Sequence, residues 1–267
     1  MDDLAVWGAL FVREVDELPV QFVKPADTDG PTWAVYQDGA YLGTVSGEHD
    51  RGRATWWVQA TREAHRCVDD AVRALRRPAT WPQEREQAAR WAAALLANDS
   101  LLAVDVETTG LENPYAVQIA VVDSAGDVLF NEYLRPEAVI EPAAIAVHGI
   151  TPQRVATAAT FGQLLPRLAT TLHGHAVVAY NAAFDRTVFE RELRRHLGDA
   201  CTARDWLARI RWHDAMTPYA VWHGLWSAKH GTYRHQPLGG PHDAVADCRL
   251  LFDKLHTMAR SAPTACW

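Results

Sequence analysis

Cysteine is scarce in this chain. The four residues, at 67, 201, 248 and 266, show neither metal-ligand spacing nor a disulfide framework. They read as free thiols of a reducing cytosol, and a cytoplasmic protein is expected. No stretch is apolar for long enough to span a bilayer, so no membrane partner is expected. The opening Met1-Asp2-Asp3 is acidic, unlike a secretory signal. Internal repeats and low-complexity tracts are absent. An excess of positive charge is absent too. The formal net charge is −7, which excludes a broad basic surface.

What remains is an ordinary globular composition, 48% hydrophobic and 22% charged, over 267 residues. That length can bury a sizeable core in one or two domains. A break falls near residue 80, at Arg77-Pro78-Ala79-Thr80-Trp81-Pro82, and predicts domains at 1–80 and 81–267. In the first, Thr32–Gln37 and Tyr41–Val45 flank Asp38-Gly39, a strong hairpin signal. A third strand is expected over 54–60, then a helix to about Arg77 with Val68, Ala71, Val72 and Leu75 inward. Leu10-Phe11-Val12 and Val20–Val23 are candidates for further strands. Trp33, Trp56 and Trp57 could form a base-stacking platform, but the core of a small α+β domain is the preferred reading. Trp56 and Trp57 must face opposite sides of a strand, so one of them lies outside that core.

The second domain reads as a helix over 83–96, then strands near 101–106, 115–123 and 127–134, the last two a hairpin. A helix near 161–173, a strand at 176–180, a helix over 186–197, a strand around 208–213 and a final helix over 243–259 follow. This is an α/β pattern with a mixed central sheet. The tail from Ser261 to Trp267 is expected to be loose. The histidines between His213 and His242 lack zinc-site spacing, and most read as surface residues.

Three short motifs carry the chemistry. Asp105-Val106-Glu107-Thr108-Thr109-Gly110 ends an apolar run, Leu101–Val104. Strand alternation sends Asp105 and Glu107 to one face, where two carboxylates repel unless a hard cation lies between them. A solvated acidic turn is the alternative. Asn181-Ala182-Ala183-Phe184-Asp185 follows a second buried strand and places Asp185 in the first turn of a helix. There it could serve as a cap or dipole partner instead of a ligand. His242-Asp243-Ala244-Val245-Ala246-Asp247 sets a histidine before the final helix and an aspartate on it. Singly they could be a capping histidine and a surface helix acid.

Together and in this order, the motifs resemble those of the DEDDh exonucleases, the family of DNA polymerase III proofreading subunits, oligoribonuclease and ribonuclease T. Asp105, Glu107, Asp185 and Asp247 match the four acids, and His242 matches the histidine. Ile145–Thr151 resembles the family's stretch that touches terminal nucleotides. The likeness covers roughly 100–260. The Trp- and His-rich stretch from Cys201 to Gly240 is less typical.

The resemblance implies a ribonuclease H-like fold and two Mg²⁺ or Mn²⁺ ions at a scissile phosphate. Asp105 would bridge both ions, Glu107 and Asp247 would complete one site, and Asp185 would hold the other ion. Histidine ordinarily titrates near pH 6.5, which suits His242 to accept a proton from the attacking water. Thr108, Leu111, His148 and Phe184, next to the matched motifs, are candidates to line the pocket for a strand end. For Leu111 and Phe184 ordinary core packing is the alternative. Thr109 and Gly110 are expected to shape the turn out of the strand.

The implied activity is 3′–5′ removal of nucleoside 5′-monophosphates from single-stranded ends. DNA is favoured, by likeness to proofreading exonucleases. Trimming of short RNA or tRNA ends is the alternative within the class. Outside it stands an accessory subunit whose N-terminal domain docks a protein partner or forms a homodimer. Hydrolysis of small phosphodiesters is a third reading. The groups Arg186/Arg191/Arg194/Arg195 and Arg204/Arg209/Arg211 could serve phosphates or simply solvate helix faces. Binding is expected to be modest, salt-sensitive and confined to a few nucleotides.

Overall fold

The computed structural model describes residues 8–50 and 53–262. The readings made of Met1–Asp3, Cys266 and most of the tail fall outside them. Two compact units result, one of residues up to Arg85 with Ala220–His235, the other of Glu86–Tyr219 with Gln236 onward.

The first unit holds one antiparallel sheet in simple meander order. Its strands are β1 (Leu10–Val15), β2 (Leu18–Val23), β3 (Thr32–Gln37), β4 (Ala40–Asp50), β5 (Arg53–Val58) and β6 (Glu63–His65). The β3–β4 turn is Asp38-Gly39, both with positive φ (51° and 77°), the type I′ geometry that Asp-Gly favours. The β1–β2 turn has the same sign pattern at Asp16 and Glu17 (φ 55° and 61°) without a glycine. Asp16 is clamped there by Arg73 Nη2 at 2.8 Å and Arg76 Nη1 at 3.5 Å. Both arginines extend from α1 (Val68–Leu75) or its C-cap.

That helix covers one face of the sheet. Val68, Ala71 and Val72 bury against Phe22, Trp33, Val35, Val45, Trp56 and Val58. Leu75, expected inward, is only partly buried against the same cluster. Trp56 is fully buried, and Trp57 lies half-buried on the opposite face, as strand alternation requires.

Sequence-distant residues complete this core. Helix α2 (Trp81–Leu96) begins in the unit, and α8 (Met216–His223) ends in it. The hairpin β12 (Trp226–Ser227) and β13 (Thr232–Tyr233) follows α8. Leu225 is 1% exposed within the N-terminal cluster. Around it, Arg77 Nε donates to the Gly224 carbonyl at 2.6 Å and Trp81 Nε1 to that of Val221 at 2.9 Å. Arg85 lies over the Trp222 ring. Leu225→Ala is therefore expected to destabilise this unit by about 2–5 kcal/mol, read by urea denaturation. An unchanged midpoint would show that Leu225 packs elsewhere.

The second unit is built on a five-stranded mixed sheet of order β11-β10-β7-β8-β9. The strands are β7 (Leu101–Thr108), β8 (Ala116–Asp123), β9 (Val128–Tyr133), β10 (Ala176–Ala179) and β11 (Arg211–Asp214). The first three strands of that order run parallel, and β8 and β9 add antiparallel. Apolar side chains on both faces of β7 fit its central, covered place. Leu102, Val104 and Val106 join a core with α5 (Phe161–Leu172), α6 (Ala182–Leu197) and α7 (Ala200–Leu207). On the other face lies α9 (Ala244–Arg260), its buried Cys248 3.9 Å from the Ala120 carbonyl. Two short helices, α3 (Pro142–His148) and α4 (Pro152–Val155), lie between β9 and α5. The mixed sheet and the 118–133 hairpin agree with the sequence reading; α3, α4 and α7 were not in it. His230 and His235 are exposed, whereas His213 and His223 are half-buried. No helix among the described residues is long and apolar enough to cross a membrane.

Candidate active site

Strand β7 delivers the first two acids. Register pairs Asp105 with Ala120 and Glu107 with Gln118, so both carboxylates leave the same face. Glu107 is buried and Asp105 half-buried. Asp185 enters from the first turn of α6 and is 4% exposed. The Val106 amide donates to its carboxylate, which ties the helix start to β7. Asp214, at the end of β11, accepts from the amides of Ala182 (3.2 Å) and Thr217 (3.0 Å) and steadies that start.

The third motif closes the site. Asp243 caps α9, accepting from Ala246 N at 3.0 Å. Asp247 lies one turn in, buried, and its Oδ1 has no hydrogen-bond partner. His242 is exposed, with φ at 56° in the left-handed region. Ligating atoms of Glu107, His242 and Asp247 lie within 4.8 Å of one another. The structure thus brings Glu107, His242 and Asp247 within ligand distance of one another, and Asp105 and Asp185 lie close enough to act on the same acids electrostatically.

The charges of this cluster work against each other. Burial first, then Asp247 and Asp243, pushes the Asp105 carboxyl up to about 7. Burial, Asp105 and Asp247 push Glu107 up to about 8. Asp185 is driven well above the usual carboxylate range by burial and by Asp105. Burial also raises Asp247, with His242 partly offsetting it. These groups bind protons more tightly folded than unfolded, so they cost stability as pH rises from their ordinary values (3.8 and 4.5) through about 7 and about 8. In EDTA, Tm should therefore fall across that window, and Asp105→Asn should flatten the fall. A divalent cation should flatten it too, by replacing the protons. A slope identical in wild type, variant and metal-loaded protein would contradict this account.

The expected pocket residues fall into different environments. Thr108 is buried, and its hydroxyl donates to the Gly110 carbonyl at 2.8 Å. Thr109 pairs with Tyr115 through both main chain and side chain, closing the turn that leaves β7. His148 ends α3. Its Nδ1 accepts from Ile150 N at 3.0 Å, which leaves Nε2–H to donate to the Thr108 carbonyl at 3.1 Å. Burial lowers its pKa, in keeping with this neutral latch between α3 and β7. Phe184 is partly buried against the core. Leu111 is 81% exposed, so the core alternative does not hold for it.

Two further residues shape the site without belonging to the matched set. Asp243 adds a fifth charge to the cluster while capping the helix. Gly240 lies against Asp247, where a Cβ would meet Oδ1 at 1.6 Å, so no side chain fits there. The Gly-Gly pair before Pro241 was the available signal for such a close backbone approach.

An acid-lined end of a mixed sheet, with a histidine loop beside it, is a hydrolase site of the kind the motifs resemble. The exonuclease family model matches residues 102–253, more than half of the chain. The chain belongs to the exonuclease family, and its motifs are those of the DEDDh group; it is a 3′–5′ exonuclease hydrolase.

The uncharacterized exonuclease CP81 of Escherichia phage 186 is 28% identical over 174 residues, 61% of this chain and 89% of that protein. The DNA polymerase III epsilon subunit of Escherichia coli K12 is 30% identical over 95 residues, 32% of this chain and 39% of its own length. The mouse interferon-stimulated gene 20 kDa protein is 29% identical over 124 residues, 45% of this chain, and the match again spans 39% of that protein. Among solved structures, exonuclease X with 5′-overhanging duplex DNA gives a TM-score of 0.42 at 27% identity, over 62% of this chain and 95% of that one.

Proposed function

We propose that this exonuclease is metal-dependent and releases nucleoside 5′-monophosphates from single-stranded 3′ ends, DNA in preference to RNA. The observation that carries the reading is the convergence of four carboxylates and an imidazole on one end of β7, with Asp247 Oδ1 buried and unpartnered. A buried acceptor without a donor calls for a ligand, and a set made mostly of carboxylate oxygens suits hard divalent cations, Mg²⁺ or Mn²⁺. Asp105, Glu107, Asp185 and Asp247 would hold two such ions. The ions would neutralise charge on the scissile phosphate and acidify an attacking water.

The chain's own groups do the remainder. The β7–β8 ladder fixes the spacing of Asp105 and Glu107, and the Val106 amide orients Asp185. His242, whose ring lies beside Glu107 and Asp247, accepts the water's proton on a ring nitrogen. Leu111, held out into solvent beyond the β7 turn, would rest against the terminal base. Thr108 and His148 shape that turn, and Phe184 backs the start of α6. The preference for DNA draws on the match to the polymerase III epsilon subunit.

The test is a time course on 5′-labelled single strands of DNA and RNA with Mg²⁺, Mn²⁺ or EDTA. A ladder shortening one nucleotide at a time, abolished by EDTA and faster on DNA, is expected. Faster loss of RNA would reassign the substrate to short RNA or tRNA ends. No hydrolysis of either with any metal would sink the proposal in favour of an accessory subunit.

A further inference from the structure

We infer that Tyr180 is a positioning residue for hydrolysis, holding the root of the loop that carries His242; this rests on the reading of His242 as proton acceptor. The Tyr180 hydroxyl donates to the Gln236 carbonyl, 56 residues along the chain. Its ring lies edge-on to Tyr219, centroids 6.2 Å apart, which sets the direction of the hydroxyl. Tyr180 stands between β10 and α6, the helix that delivers Asp185. One turn of chain therefore sets an acid of the site and tethers the histidine loop.

The loop needs such a tether. Five residues, Pro237-Leu238-Gly239-Gly240-Pro241, separate Gln236 from His242, and none lies in a helix or strand. Gly239 (φ 84°) and His242 (φ 56°) both adopt left-handed backbone. At the downstream end the Asp243 cap holds the chain. Gln236 is the upstream root of the glycine loop, and Tyr180 secures it. Without the hydroxyl, the loop gains freedom at one root and the imidazole spends less time beside Glu107 and Asp247.

Tyr180→Phe removes one hydroxyl and keeps the ring. We expect kcat to fall about three- to tenfold, the worth of one lost hydrogen bond, with KM within about twofold. In a His242→Ala background the same change should cost nothing further, because the two residues act as one unit. The ring resonance of His242, identified by its loss in His242→Ala, should shift in Tyr180→Phe. An equal loss of kcat in both backgrounds would overturn the inference, since Tyr180 would then act elsewhere. Unchanged kcat together with an unchanged ring resonance would overturn it as well. Wild-type turnover by His242→Ala alone would refute the proton-acceptor reading itself, and would do so before Tyr180 is touched.

Discussion

Asp105→Asn is expected to lower turnover by more than about 10³-fold, beyond the loss of a single electrostatic stabiliser, and at the same time to raise the Tm of the metal-free protein. The two effects share one cause. Asp105 stands on the central strand and interacts with Asp247, Glu107 and Asp185, each of which it pushes toward the neutral form or is pushed by. Without cations that arrangement is mutual repulsion, and an amide of the same shape relieves it. With cations the same carboxylate would be one of their ligands, so its loss would weaken the site. Melts in EDTA and in Mg²⁺ separate the two. The variant should melt higher than wild type in EDTA and gain less from Mg²⁺. Near wild-type turnover would remove Asp105 from the chemistry. A lower Tm in EDTA would mean that asparagine disturbs the strand, and the activity loss would then say nothing about metal.

The site was legible because its spacing is local. Asp105 and Glu107 share a face by strand alternation, and the apolar run before them marks the strand without any tertiary information. Asp247 follows His242 at the distance that sets one on a loop and the other in the first turn of a helix. The neighbours that tune them were not legible. Asp243 looks like an ordinary cap, and its charge matters only because α9 lies across β7. His148 has both ring nitrogens committed to the backbone, a fact fixed by the fold of α3 and not by composition. The short helices α3 and α4 lack the length for a periodic signal, although each begins with proline at its first turn.

The N-terminal unit shows the same division. Its hairpins follow from alternation and from Asp38-Gly39, whereas the Asp16-Glu17 turn has no glycine and depends on arginines 57 and 60 residues away. That Leu225 completes this core was beyond any local pattern, since its partners lie more than 140 residues earlier. The tryptophans around it, which made the stretch before His242 atypical as nuclease sequence, are used in part for this packing. The Arg85 guanidinium lies near both the Trp81 and the Trp222 ring, and Arg77 lies 4.0 Å from the Trp81 ring. The composition bias of that stretch is thus in part a folding feature.

His242→Ala is expected to cut kcat by about 10²–10⁴-fold, the usual cost of losing a general base, while cations bind almost as before. The structure makes this a sharp test, because the imidazole lies close enough to Glu107 and Asp247 to be a ligand instead. The two roles separate by thermodynamics. A proton acceptor can be lost without changing the Tm increase that Mg²⁺ or Mn²⁺ produces, since the four carboxylates remain. A ligand cannot, because removing it lowers affinity and with it the stabilisation by bound metal. Burial argues the same way. The carboxylates are drawn into the fold, where protons or a cation would offset their repulsion, whereas His242 stands exposed on a strained loop where a proton can reach bulk water. If the Mg²⁺-induced Tm shift collapsed in His242→Ala, the histidine would join the acids as a ligand, and the proton would have to leave by another group.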